Sequence, residues 1–310
     1  MTTYFRKKVL LAKIETTYGT DPTPTGTANA IRASELSIQP MLGADADRGH
    51  HTPHPAAPST SPYDLHATIS FKVELAPSGT AGTAPGWGPL LRACGVAETI
   101  TASTSVVYNP ISDSFESATL YLHIDGLVFT LTGARGTCKI VVNASGIPQL
   151  EFTFTGLWTK PAAGTLPTPV YSAFQDPKIA SNTATPTMTV DSEDMVMRTF
   201  SLDLGNQVEG RFLVGTEEIV IVDRSEMIEM QIEATALSTL DPYALARDQS
   251  DVAVAITHGT GAGNIAALAI PAAQMQRPGD PTEGQGIMEW PLNLVPLPTS
   301  GNDQWTLTLT

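Results

Sequence analysis

Charge is what this chain has least of. Only 15% of its 310 residues are charged, against about 25% in an average soluble domain. Bases are scarcer than acids: 17 Lys and Arg stand against 31 Asp and Glu, for a net charge of −14. A surface that grips nucleic acid is basic, so that class is disfavoured. A surface that nucleic acid must slide past is not, because like charge repels phosphate. Cysteine is nearly absent; Cys94 and Cys138 do not make a disulfide framework and read as buried thiols in a reducing compartment. No apolar run approaches the ~20 residues of a membrane span. In MTTYFRKKVLLAKIE the run Val9–Ala12 falls short of the ~7–15 residues of a secretory core, so a cytoplasmic product with no membrane association is expected.

Apolar residues make up 42% of the chain, enough for a core, and Thr, Ser, Gly and Pro take the place of the missing charge. That suits strands joined by turns. Strict period-2 alternation dominates. In HATISFKVEL, Ala67, Ile69, Phe71, Val73 and Leu75 share one face. IEMQIEAT sets Ile228, Met230, Ile232 and Ala234 against Glu229, Gln231, Glu233 and Thr235. FSLDL and IMEWPLNL repeat the pattern. One greasy and one polar face indicate antiparallel sheets. GTCKIVVNASGIPQLEFTFTG predicts a hairpin with a three-residue turn at Ala144–Gly146. Ile140 then faces Leu150, Cys138 faces Phe152, and Lys139 meets Glu151; a one-residue slip would mix the faces. Helix signals are few and short: PGWGPLLRACG, with Gly95 as its stop, and LDPYALARDQ, with Asp241 as N-cap and Pro242 after it.

GIPQLEFTFTG, from Gly146, aligns without a gap on GNDQWTLTLT, from Gly301, half the chain away. FKVEL (71–75) aligns with MQIEA (230–234), and ASELSIQP resembles RTFSLDLG in pattern. Similarity at this length indicates tandem copies of one domain, and the order of elements in both halves argues against chance likeness. The expected organisation is a first β domain over 1–160 with long arms at 16–29 and 41–63, a linker over 161–192, and a repeated domain over 193–310.

Motifs that carry chemistry are missing. His50, His51 and His54 lie between prolines with no Cys nearby, whereas a metal site needs rigid spacing and a fourth ligand. ADADRG supplies too few oxygens for calcium. THGTGAGN lacks the Lys-Ser/Thr or long helix of a phosphate cradle. No Ser occupies a nucleophile elbow. No enzyme, metal or cofactor is expected. Glu226, Glu229, Gln231 and Glu233 form a mostly acidic strand face, which fits either an ordinary solvated surface or the wall of a negatively charged channel.

KIETTYGTDPTPTG (13–26) and GARGTCKIVVNASGIPQLEFTFTGLW (133–158) resemble stretches of the major tail, or tail tube, proteins of long-tailed, non-contractile bacteriophages. The resemblance implies an all-β fold with short helices, built as tandem tail-tube-type β-sandwich or barrel domains with long loops. It implies a structural virion protein that forms stacked rings around a bore for DNA, made in the host cytoplasm and resident in the virion tail. Single-domain members form rings of six; two domains per chain would let three copies build the same pseudo-six-fold ring, and the chain's length leaves three versus six copies open. Implied partners are further copies of itself, then tape measure, tail-terminator and distal tail proteins, with DNA passing without specific binding. Glu74, Glu151, Glu229, Gln231 and Glu233 are candidates to line the bore, although alternation cannot separate a lumen face from an outer one. Met41, Arg48, His50, His51, His54 and Tyr63 are candidates for a ring-stacking loop. The alternative is a carbohydrate-binding or adhesive β-sandwich module, which would want exposed aromatic platforms in a chain with only 6% aromatics.

Overall fold

The computed structural model describes residues 3–51 and 53–310. Met1, Thr2 and Thr52 lie outside the described residues, the last of them inside the arm expected at 41–63. The first half runs β1 (Lys8–Ile14), α1 (Gly26–Asn29), β2 (Ala30–Ile31), β3 (Ala33–Asp47), β4 (Thr60–Glu74), α2 (Gly88–Arg92), β5 (Val96–Thr101), β6 (Ser105–Pro110), β7 (Ala118–Ile124), β8 (Leu127–Asn143), β9 (Gln149–Trp158) and β10 (Ala162–Ala163). The second runs β11 (Thr187–Val190), β12 (Glu193–Asp194), β13 (Met197–Asp203), β14 (Asn206–Leu213), β15 (Thr216–Arg224), β16 (Met227–Glu233), α3 (Pro242–Asp248), β17 (Asp251–His258), β18 (Ala266–Met275), β19 (Thr282–Gly284), β20 (Ile287–Pro296) and β21 (Thr306–Leu309). The chain is all-β with short helices, as its alternation predicts. The barrel does not close within one chain: the sheet is open.

Eight strands form the central sheet in the order β3–β4–β9–β8–β13–β16–β20–β19, every neighbour antiparallel. The hairpin β8–β9 has the register its pattern dictates, with Ile140 opposite Leu150, Cys138 opposite Phe152 and Lys139 opposite Glu151. Residues on one face of this sheet are buried: Ile69, Phe71 and Val73 on β4, Leu150, Phe152 and Phe154 on β9, Phe200 and Leu202 on β13, Ile228, Met230 and Ile232 on β16. Phe71, Phe152 and Phe154 pack with ring centroids 5.6–6.0 Å apart. Each such side chain contributes about 1.5–3 kcal/mol by leaving water.

Strand β8, 17 residues long, joins layers. Its first part pairs with β7, which pairs with β1; its second part pairs with β9 and β13. Strand β18 does the same in the second half, pairing first with β17 and then with β20. Buried side chains of β1, β7, β17 and β18 join those of the central sheet in one core.

The two halves share their pairing order. β1–β7–β8–β9–β4–β3 is matched by β11–β17–β18–β20–β16–β13. The irregularities match too. The β7–β8 register shifts between Ala118 and Leu120, and the β17–β18 register between Val252 and Val254. The β3–β4 ladder shifts after Ser34, and the β13–β16 ladder after Met197. This order corrects one strand correspondence read from the sequence. The place of β9, beside β4, is held in the second half by β20 beside β16. The C-terminal β21 instead pairs with β18 and β6, and its place beside β18 is that of β10 beside β8.

Helix α3 begins as expected, with the Asp241 carboxylate accepting from the backbone N–H of Tyr243 and Ala244. Helix α2 is only five residues long, and Gly95 follows it with φ +72°, a conformation open to glycine. Both cysteines are buried and unbonded, and burial pushes both thiols well above their ordinary range.

Candidate tube wall and assembly arms

Alternation turns the other face of the central sheet toward solvent. Cross-strand register places Glu74 and Lys72 (β4), Glu151 (β9), Lys139 (β8), Ser201 (β13), Glu229, Gln231 and Glu233 (β16), and Asn293 (β20) on it together. All five residues expected to line a bore therefore share one face that runs across both halves. They do not form a bare acidic wall, because cations sit among them. Lys139 Nζ lies 2.7 Å from Glu229 Oε2. Lys72 bridges Glu35 at 2.9 Å and Glu151 at 3.1 Å. Arg32 holds Glu74 at 2.6 Å. The hydrogen bond from Lys139 holds the Glu229 carboxyl below its usual range, and the Lys72 ammonium is raised by its bonds to Glu35 and Glu151.

One acid on this face is not exposed. Glu289, 2% accessible, takes both forks of Arg198, with Nε 2.8 Å from Oε2, and also accepts from Gln231 Nε2 at 2.6 Å. The guanidinium keeps its carboxyl low. The alternation had marked Glu289 only as a polar position, and nothing in it announces the arginine.

The segment expected as a stacking loop is strand over about half its length. Residues 41–47 belong to β3 and 60–63 to β4, which pair almost to the tip of a long hairpin, with Asp47 opposite Thr60. These residues carry little to bury, so period-2 reading had no signal there. Met41 and Tyr63 are about half exposed on its two strands. Arg48, His50, His51 and His54 sit in the exposed tip. Among the described residues no group of three His, Cys, Asp or Glu could hold a metal, and no helix is long and apolar enough to cross a membrane.

A second hairpin, β14–β15, continues the register of β13–β16 and folds back over the first half. Asn206 Nδ2 donates to the carbonyls of Cys94 (2.6 Å) and Gly136 (3.0 Å). Arg224 Nη2 donates to Gly95 O at 2.8 Å, and Arg135 Nη1 to Ile219 O at 2.8 Å. Ile219 N donates to Tyr18 Oη, and Phe212 stacks on His66. Sequence reading missed this hairpin's role, since its anchors are single polar residues with no spacing rule.

The model of one family, described as phage tail tube protein, matches residues 6–300. The chain belongs to that family. No curated protein matches it. A tail tube protein is a structural component, so this protein's place is the virion tail and its principal partner is itself. Its long two-faced strands and exposed hairpin arm accord with that role.

The arm at 16–29 is tied down by a buried carboxylate. Glu15 accepts from Ser117 Oγ (2.6 Å), Thr119 Oγ1 (2.6 Å), Gly133 N (2.7 Å) and Gly19 N (2.7 Å). In this tail tube protein Glu15 is the hub joining β1, β7 and β8 to the loop after β1.

Proposed function

We propose that this tail tube protein forms rings of three copies with pseudo-six-fold symmetry, and that the rings stack into the hollow tail of a non-contractile phage through which DNA is delivered. Each chain supplies two tube-type units, 1–160 and 193–310, joined by a linker over 161–192. The observation that carries this reading is the central sheet, which spans both halves with one continuous polar face and the same pairing order twice. The units are then successive segments of one cylinder, and closure leaves no strand edge exposed to random pairing. A heterologous contact that closes makes a ring, and one that translates makes a filament.

The polar face of β4, β9, β8, β13, β16 and β20 is turned to the bore. Its acids are largely paired, yet they outnumber the bases. Such a wall offers phosphate no cluster of free cations, and the repulsion reaches only about 8 Å at physiological salt. The exposed β3–β4 hairpin, with Met41, Arg48, His50, His51, His54 and Tyr63, is the element that bridges successive rings. Tape measure, tail-terminator and distal tail proteins complete the partners, and assembly takes place in the host cytoplasm. Cryo-electron microscopy of assembled tubes tests the reading. It expects three chains per ring and Glu229 facing the bore; six chains per ring, or an apolar bore, overturns it.

A further inference from the structure

The ring reading leaves open which edges meet, and the chain contains its own template for that contact. Its two halves are joined by β8 and β13, with Lys139 opposite Asp203, Ile140 opposite Leu202, Val141 opposite Ser201 and Asn143 opposite Thr199. In the shared pairing order β13 corresponds to β3. The end of β8, which pairs Val141 with Gln149 next to its hairpin turn, corresponds to β19, which pairs Thr282 with Glu289 next to its own. Among the described strands, β3 pairs only with β4, and β19 only with β20. The two members of the internal seam therefore have counterparts at the two open edges of the same sheet.

The arms follow the same logic. β14–β15, the distal part of the β13–β16 hairpin, crosses the internal seam and docks on the first half at the end of α2 and on β8. The distal part of the β3–β4 hairpin, beyond Leu42 and His66, is its counterpart and stands exposed. The second half has a matching place between the end of α3 and β18. It is an open trough lined by Ala246, Gln249, Met275, Gln276 and Arg277. Gln249 ends α3 in the left-handed conformation (φ +54°), as Gly95 follows α2 with φ +72°.

Resting on the ring reading above, we infer that the β3 edge of one copy pairs with the β19 edge of a second copy in the register of the internal seam. Ser37 lies opposite Thr282 and Glu35 opposite Gly284, and the paired part of the arm, from Leu42 to Asp47 and from Thr60 to Leu65, covers the α3–β18 trough of that second copy, which leaves the tip from Arg48 onward for the next ring. The faces agree with this register. Ser37 is opposite Ser70, on the same side of β4 as Lys72, and Thr282 Oγ1 accepts from Gln231 on the polar side of β16. The solvent-facing side thus continues across the junction, as Val141 and Ser201 sit on the Lys139 side of the internal one. A strand edge with free N–H and C=O groups is a ready template for another chain. The Lys8 ammonium now caps one β3 carbonyl, Leu36 O, at 3.0 Å, and the incoming strand takes its place.

Paired cysteines read the register directly. Val141→Cys with Ser201→Cys is the internal control and should close within one chain. Ser37→Cys with Thr282→Cys, oxidised with copper phenanthroline after tube assembly, should give chains linked to one another, in closed sets of up to the ring number on non-reducing gels. A mixture of the two single variants should stop at dimers. Glu35→Cys with Asp280→Cys, four residues out of register, should stay monomeric. Tubes that form normally while Ser37→Cys/Thr282→Cys stays unlinked overturn this junction and leave the tube reading intact. Linkage of the out-of-register pair with equal yield overturns it as well. If the wild-type chain, purified or recovered from phage particles, gives neither rings nor tubes, the tube reading itself fails and the junction with it.

Discussion

Glu15 shows how much one side chain can hold. Its carboxylate satisfies two hydroxyls and two backbone N–H groups in a site that is 7% accessible. Truncation leaves the Ser117 and Thr119 hydroxyls and the Gly133 N–H buried without that acceptor. Hydrogen bonds to charged groups contribute ~1.5–3 kcal/mol each and do not add simply. Glu15→Ala should therefore cost about 3 kcal/mol in urea unfolding and open 16–29 to protease; an unchanged midpoint would refute the hub. Glu289 makes a second residue-scale case. Arg198 lowers its folded-state carboxyl, so the stability it brings is complete above the unfolded carboxylate range and is lost as pH falls through the lower, folded value. Arg198→Met raises that folded value, and the acid limb of unfolding, followed by circular dichroism, should begin at higher pH. An unmoved acid limb would remove the pair from the stability account. Neither residue was legible as important in the sequence. A buried acid and a surface acid read alike until the partners, 102 or more residues away for Ser117, Thr119 and Gly133, are brought alongside.

At the scale of elements the sequence was far more legible, because alternation reports a face directly. The register of β8–β9, the buried side of β4, β13 and β16, and the Asp241 cap all follow from local pattern. Partnership does not follow from it. Gln149–Trp158 and Thr306–Leu309 are both Thr-rich alternating strands, so their patterns match, yet one lies beside β4 and the other beside β6. Alternation says which side of a strand is greasy and nothing about its neighbours. The β3–β4 arm was hidden for a related reason: exposed on both faces, it has no periodicity to read. Its ladder from Ala33 to Gln39 against Thr68 to Val73 lies outside 41–63 and carries the buried contacts. Deleting Met41–Tyr63 should thus leave monomer circular dichroism and the melting temperature nearly unchanged while abolishing orderly tubes in negative stain. Normal tubes from the deleted chain would show that the arm has no part in assembly.

For the whole molecule the deciding question is which way the polar face points. A cylinder built from this sheet must put either the charged side or the apolar side on the bore. The apolar side is already filled by β1, β7, β17 and β18, so the charged side is the free one. Glu229 and Glu233 stand on it, and the former already compensates Lys139. Exchanging both for lysine removes that compensation and shifts the wall by four positive charges per chain, or twelve in a ring of three. Lys139 would then face a like charge, a small loss for an exposed pair of about 0–1 kcal/mol, so folding and tube formation should survive. DNA would meet free cations at each ring. Phosphate contacts release counterions and strengthen as salt falls, so ejection from particles carrying both substitutions should slow, and slow most at low salt. Ejection kinetics followed by dye fluorescence at two salt concentrations would measure it. Intact tails that release DNA at the wild-type rate under both conditions would place Glu229 and Glu233 on the outside of the tube.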